Sequence, residues 1–392
     1  MKRHGFFQLT EHSVKLLAEN YETPLLVLSL DQIEKNYCFL KTNLPKVKLY
    51  YAMKANPDLH ILEKMIALGS CFDVASEGEI RTLAGLGVGG ERMIYANPIK
   101  TAVGIKACCE LGVHKLTFDS RSEIQKMAKS CPGATVLLRV RIDNSTAVVD
   151  LNKKFGAPQE EAIELLQAAT AAGLDVAGIC FHVGSQTMSS DPYLHALDIS
   201  RRIFDEAAAV GLTLRVLDIG GGFPIPEPKL RFNLGEMLAQ INARLEEDFA
   251  NVEIWAEPGR FICGTAMNLI TRVIGINERN GQVWYFLDDG IYGTFSGVIF
   301  DQWQYTLISF KEGEETEATF AGPSCDSLDI MCRGKLTVPL ELDDLLLVPS
   351  CGAYSSASAT VFNGFNKTHI VVWEDVKFTL GLSLKEDLAA AV

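Results

Sequence analysis

No Cys-x-x-Cys pair occurs in this sequence, although it holds ten cysteines. They are scattered, and only Cys108 and Cys109 are adjacent. That spacing argues against a structural zinc site and against a disulfide framework. No metal is expected, and a reducing cytoplasm is the expected setting. Long apolar runs are missing too: none approaches the length that crosses a bilayer, so no membrane partner is expected. The opening MKRHGFFQLTEHSVKLL starts basic, but Gln8, Thr10, Glu11 and His12 interrupt its apolar residues, which argues against a signal peptide. Excess positive charge is also absent. The formal net charge is −13, which disfavours a nucleic-acid partner and weakly suits a small cationic ligand. No low-complexity linker interrupts the chain.

What is present is a globular composition, 48% apolar and 22% charged, in 392 residues. That length allows two or three domains. Eight short apolar runs recur between residues 47 and 260: VKLYYAMK (47–54), CFDVAS (71–76), RMIYAN (92–97), KLTFDS (115–120), TVLLRVRID (135–143), DVAGICFHVGS (175–185), VLDIGGGF (216–223) and VEIWAEPGR (252–260). Mostly apolar strands of this kind are covered on both faces. Helical periodicity separates them, as at Leu59, Leu62, Met65 and Ile66 or at Ile163, Leu165, Leu166 and Ala169. Alternating strands and helices imply parallel pairing through crossovers, and eight units predict a (β/α)8 barrel over residues 24–262. Beyond residue 262 the runs LITRVIGI (269–276), QVWYFLDDG (282–290), KLTVPLEL (335–342), DLLLVPS (344–350) and HIVVWED (369–375) predict a second, mostly antiparallel β domain of residues 263–392, with residues 1–23 contributing. GLGVGG (85–90) fits a dinucleotide fingerprint, but it follows a helix and precedes a strand, the wrong context. It reads as a turn.

Polar residues collect at the C-terminal ends of the predicted strands, the face where barrel active sites are built. In YYAMKANP (50–57), Lys54 stands at the end of the apolar run. Alone it would be a lysine reaching the rim or pairing with Asp73; in company it can be a Schiff-base lysine. DIGGGFP (218–224) exposes consecutive amides suited to an anion, or is an ordinary tight turn. In AEPGR (256–260), Arg260 offers a fork of donors for phosphate, and Glu257 could hold a proton on a ring nitrogen; an ordinary ion pair is the plainer reading. In FHVGSQ (181–186), His182 could stack on a ring and Ser185 could donate to phosphate, although a single histidine is more often a satisfied core residue. A carbonyl, a basic planar ring and a phosphate together describe pyridoxal 5′-phosphate, an electron sink for charge left at a substrate's α-carbon.

At these motifs the sequence resembles the pyridoxal-phosphate decarboxylases of the alanine-racemase-like fold, nearest the ornithine/lysine decarboxylase branch. The resemblance runs from YYAMKANP to CGAYSSASATVFNGF (351–365). It implies that Lys54 holds the cofactor, with Asp73 and Arg139 around it. It implies His182 stacked on the ring, Ser185 on the phosphate, and Gly221, Gly222, Glu257, Pro258, Gly259 and Arg260 at cofactor-binding positions, with Glu257 facing the ring nitrogen. Tyr354 resembles a further phosphate ligand. In GPSCDSLD (322–329), Cys325 matches the acid that reprotonates the α-carbon, and Asp326 a carboxylate for the substrate's distal amine; in the family this pair comes from the partner subunit of a homodimer. Asp301, with Phe300 beside it, matches a second such carboxylate. Lys54, Cys325 and His182 are thus the implied catalytic residues. The implied activity is decarboxylation of L-ornithine to putrescine or L-lysine to cadaverine, in polyamine biosynthesis. Alternatives are diaminopimelate decarboxylase, whose substrate needs a cation that is not evident near 300–303; alanine racemase, which the Cys325–Asp326 pair disfavours; and a non-catalytic regulatory homologue.

Overall fold

Eight parallel strands close on one another in chain order. The computed structural model describes residues 5–142, 154–225 and 232–382. Its closed barrel consists of β2 (Val47–Ala52), β3 (Cys71–Val74), β4 (Met93–Tyr95), β5 (Lys115–Phe118), β6 (Thr135–Arg139), β7 (Asp175–Cys180), β8 (Val216–Asp218) and β9 (Glu253–Ala256), where β1 (Leu25–Leu28) precedes it in the chain. β9 pairs back onto β2, Ile254 opposite Val47. The strands are apolar because helices cover them outside and side chains fill the barrel inside. Tyr50, Leu137, Ala177, Val216 and Trp255 belong to that inner packing, and the Tyr50 and Trp255 rings lie 5.1 Å apart.

Helix starts are written into the sequence. Asp58, Ser76, Thr101 and Asn233 each accept a hydrogen bond from an amide in the first turn that follows. Caps of this kind contribute about 1 kcal/mol each. GLGVGG lies between the helix Glu77–Gly85 and β4, and is a turn.

The chain divides into two compact units at Lys35/Asn36 and Phe261/Ile262. The expected N-terminal boundary at residue 24 therefore shifts. TPLLVLSL supplies β1, which pairs antiparallel with β10 (Met267–Arg279) and parallel with β16 (His369–Val372). Those partners lie more than 200 residues away, beyond the reach of local sequence pattern. In the second unit β10 also pairs with β11 (Gln282–Leu287) and with β15 (Leu345–Val348). β12 (Ile308–Ser309), β13 (Thr316–Ala321) and β14 (Ile330–Thr337) complete a mostly antiparallel sheet. Leu25, Val27, Ile270, Leu347, Val371 and Trp373 form its core with Val14 and Leu17 of the helix Glu11–Asn20. The run KLTVPLEL is not one strand: β14 ends at Thr337, just before Val338-Pro339, because proline has no amide for a ladder.

Candidate active site

β2 stops at Ala52, and Lys54 sits on the single 3-10 turn Met53–Ala55 that follows. Its Nζ donates to Asp73 Oδ2 at 2.8 Å. Asp73, in β3, is 1% exposed along its side chain, whereas Lys54 is 45% exposed. The carboxylate is thus fixed and the amine stays reachable. Asp73 Oδ1 is buried with no hydrogen-bond partner among the described residues. That orphaned acceptor is costly unless something comes to meet it.

The turns after β7, β8 and β9 interlock. Glu257 N–H donates to the Gly220 carbonyl at 2.8 Å, and Ala52 N–H to the Pro258 carbonyl at 3.1 Å. Tyr193 O–H donates to the Gly221 carbonyl at 2.8 Å. Gly222 adopts φ +100°, and a Cβ there would lie 2.4 Å from the Gly184 carbonyl oxygen; only glycine fits. The amides of Gly221 and Gly222 donate to no acceptor among the described residues. Arg260, buried, opens the short helix Arg260–Cys263, and Ser185 is half-buried in the turn after β7. The Arg139 guanidinium, at the end of β6, lies 5.5 Å from the Phe155 ring centroid.

Electrostatic influence joins these residues into one cluster. His182 Nδ1 accepts from Gly184 N–H at 2.9 Å, so the neutral ring carries its proton on Nε2. Part of its surface is open, yet desolvation, with help from Arg139 and Lys54, holds its pKa well below the usual histidine value. Glu257 is pushed well above the carboxylate range by burial, then by Asp218 and Asp73, against Lys54 and Arg139. Asp218 is pushed up to about 6 by burial, against hydrogen bonds from Gly220 N–H and from Glu257. Both shifts favour keeping a proton on the Glu257–Asp218 pair, and Glu257 is the more strongly pushed.

The β unit holds the remaining expected residues on three neighbouring segments. Phe300 and Asp301 end the helical turn Gly297–Phe300. Cys325 is exposed, and its Sγ donates to Asn363 Oδ1 at 3.4 Å. Asp326 accepts from Leu328 N–H at 2.9 Å and from Tyr292 O–H at 2.5 Å, and these bonds hold its pKa below the usual carboxylate value. Tyr354 follows Gly352-Ala353 and adopts φ +53°.

Residues 30–264 match the family model described as "Pyridoxal-dependent decarboxylase, pyridoxal binding domain". The lysine/ornithine decarboxylase of Selenomonas ruminantium is 51% identical over 370 residues, 94% of each chain. The chain belongs to the pyridoxal-dependent decarboxylase family. A solved structure of lysine decarboxylase from Selenomonas ruminantium superimposes with a TM-score of 0.92 at 50% identity, covering 97% of this chain and 100% of that one. The Vibrio vulnificus lysine/ornithine decarboxylase complexed with cadaverine gives 0.87 at 35%, covering 93% and 99%.

The barrel residues fit the cofactor of this decarboxylase family, pyridoxal 5′-phosphate. A reachable amine beside a fixed carboxylate suits its carbonyl carbon. Open glycine amides near a buried arginine suit its phosphate. A carboxyl that keeps its proton suits a ring nitrogen. Asp218 and Glu79 join this candidate site without having been singled out in the sequence. Asp218 stands inside the DIGGG motif, where an aspartate before glycine reads as a turn former. Glu79 accepts from Ala75 N–H at 2.6 Å and stands three residues after the cap Ser76, so it reads as part of a capping box. Its pKa, raised by burial, also responds to Asp73 and Lys54.

Proposed function

We propose that this chain decarboxylates L-ornithine and L-lysine, giving putrescine and cadaverine for polyamine synthesis, as a cytoplasmic homodimer. The observation that carries the reading is the barrel-mouth cluster: Lys54 held at 2.8 Å by the buried Asp73 carboxylate, with His182, whose Nδ1 accepts from Gly184 N–H, and with Glu257, whose pKa burial raises. Pyridoxal phosphate, when bound, supplies the electron sink that lets a Cα–carboxylate bond break.

The chain's own residues do the rest. Lys54 is the amine that holds the cofactor, and Asp73 fixes the direction of Nζ. Neutral His182 offers a flat face for the ring without placing a second cation there. Glu257 keeps a proton for the ring nitrogen. Ser185, Gly221, Gly222, Gly259, Arg260 and Tyr354 hold the phosphate. Cys325 Sγ delivers the proton to Cα after carbon dioxide leaves. Asp301 and Asp326 pair with the distal ammonium, and Asp326 suits that role because its hydrogen bonds keep it ionised.

Support for the homodimer comes from exposed apolar side chains in the β unit: Ile299, Phe300, Leu328, Val361, Phe362 and Phe365. They lie in the segments that carry Asp301, Cys325 and Asp326, or follow Tyr354 closely. Ten free cysteines suit a reducing cytoplasm. Among the described residues no helix is long and apolar enough to cross a membrane.

The test is amine release from L-ornithine, L-lysine and diaminopimelate by the cofactor-loaded protein. Turnover of ornithine and lysine is expected, with a preference of about 10–200-fold at most, since they differ by one methylene. Turnover of diaminopimelate alone would overturn the substrate assignment. A protein that takes up no pyridoxal phosphate would overturn the enzyme.

A further inference from the structure

Three segments of the β unit carry residues assigned above to substrate or cofactor: the turn ending on Asp301, the loop of Cys325 and Asp326, and the turn of Tyr354. The stretch 289–297 is bonded to all three. Toward the Cys325 loop, Tyr292 O–H donates to Asp326 Oδ2 at 2.5 Å. Asp329 accepts from Ile291 N–H at 2.9 Å and Ser324 N–H at 3.0 Å. Its start is pinned as well: Thr294 N–H donates to Asp289 at 3.0 Å, and the Thr294 carbonyl accepts from Tyr305 O–H at 3.1 Å.

Its end is pinned by hydroxyls. Ser296 is fully buried and immediately precedes the turn Gly297–Phe300. That turn closes through Asp301 N–H donating to the Gly297 carbonyl at 3.0 Å. Ser296 Oγ lies 2.8 Å from Ser358 Oγ and 2.9 Å from the Ser355 carbonyl. Ser358 Oγ lies 3.2 Å from the Tyr354 carbonyl. With one proton per hydroxyl these distances allow two arrangements: Ser358 donates to Ser296 and Ser296 to the Ser355 carbonyl, or Ser296 donates to Ser358 and Ser358 to the Tyr354 carbonyl, the second being a continuous chain from the turn to Tyr354. The Ser355 carbonyl meanwhile keeps the amides of Ser358 and Ala359, both at 3.1 Å. Tyr354 sits at φ +53°, a left-handed conformation that a bulky residue holds only when its surroundings fix it. Its carbonyl is one of the groups so fixed.

We infer that Ser296, acting through Ser358, couples the position of Asp301 to the Tyr354 turn, so that selection of substrate length and retention of the cofactor are set together. Ser296 and Ser358 are positioning residues for the decarboxylation. The inference rests on the assignment of Asp301 to the distal ammonium and of Tyr354 to the phosphate. The two substrates differ by one methylene, so a displacement of Asp301 by a fraction of an ångström favours one over the other.

The experiment uses Ser296→Ala, Ser358→Ala and the double variant in the full chain. Cofactor affinity is read by quenching of tryptophan fluorescence on titrating pyridoxal phosphate into apoprotein, independently of turnover. Each single variant is expected to bind the cofactor roughly tenfold more weakly, the effect of one lost buried hydrogen bond. Each is also expected to move the ornithine-to-lysine ratio of kcat/KM by about threefold or more. The double variant should be no worse than the poorer single one, since both break one chain. A constant ratio with equal losses on both substrates would overturn the coupling, as would unchanged cofactor affinity in both singles or fully additive losses. Should Ser296→Ala fail to fold, the half-buried Ser358→Ala carries the same two predictions. A wild-type protein active on neither substrate would sink the functional reading; the affinity arm would still decide whether Ser296 acts on Tyr354.

Discussion

His182 holds no proton on the nitrogen that faces Gly184, and the protein is built to keep it that way. The backbone N–H occupies Nδ1, and desolvation by burial, then Arg139 and Lys54, oppose a positive ring. Its folded pKa lies below the value of about 6.5 that an unfolded chain gives. As pH falls through that value the unfolded chain binds the proton first, so stability is lost below about pH 6.5. Asp218 and Glu257 carry the opposite sign. Their folded pKa values are raised, so the folded state binds protons first and gains stability as pH falls toward the ordinary carboxylate range. His182→Asn removes the first contribution and leaves the second. The cofactor-free variant should gain on wild type steadily from pH 7 to pH 5, measured as the urea midpoint at each pH; a pH-independent difference would contradict it. At this scale the sequence drew attention to a residue whose type is unusual for its place: Lys54, expected at a strand end, sits on the 3-10 turn just beyond β2. It was silent on Asp218, whose bond to Gly220 N–H at 2.8 Å is an ordinary turn. Only the fold brings that carboxyl beside Glu257.

Elements were legible where their pattern is local. All eight barrel strands fall inside the expected runs, because a strand buried on both faces is nearly continuous in apolar residues. Each is shorter than its run, because the polar residues at the C-terminal end belong to the turn beyond. TPLLVLSL reads as a strand and is β1, although its partners lie far along the chain; the polar hairpin of β13 and β14 was harder, since in β14 Arg333, Gly334 and Lys335 interrupt any apolar alternation. Glycine roles are likewise invisible until partners are known. In β7 a Cβ on Gly178 would lie 1.8 Å from the Val216 carbonyl oxygen, the backbone of the next strand. In the helix Glu77–Gly85, a Cβ on Gly85 meets nothing within 4 Å. Gly178→Ala should therefore cost about 3 kcal/mol or more by forcing β7 from β8, whereas Gly85→Ala should stabilise by about 0.5–1 kcal/mol. Thermal unfolding of the two variants checks the contrast. Equal shifts would mean that β7 and β8 are not packed this closely.

The whole molecule, under the proposed function, depends on a second copy, since the resemblance implies that Cys325 and Asp326 come from the partner subunit. Val361 and Leu328, each 65% exposed, would then be interface side chains. Val361→Asp should shift the protein toward monomers in sedimentation and make specific activity rise with protein concentration; an undisturbed dimer of full activity would place the interface elsewhere. Architecture at this scale was legible as an alternation of β and α followed by a change of texture near residue 262. The assembly was not, because a surface that meets a twin looks in sequence like any mixed surface. The central claim is that one amine, Lys54, carries the cofactor, and the chain offers a rival in Lys100, a buried lysine bonded to three backbone carbonyls. Borohydride reduction of the pyridoxal-phosphate-loaded protein, followed by mass mapping of its peptides, tests the claim most directly. A single modified peptide is expected, with the label on Lys54 and lost in Lys54→Ala. A label on Lys100 or on any other lysine, or no label on a fully active enzyme, would contradict it.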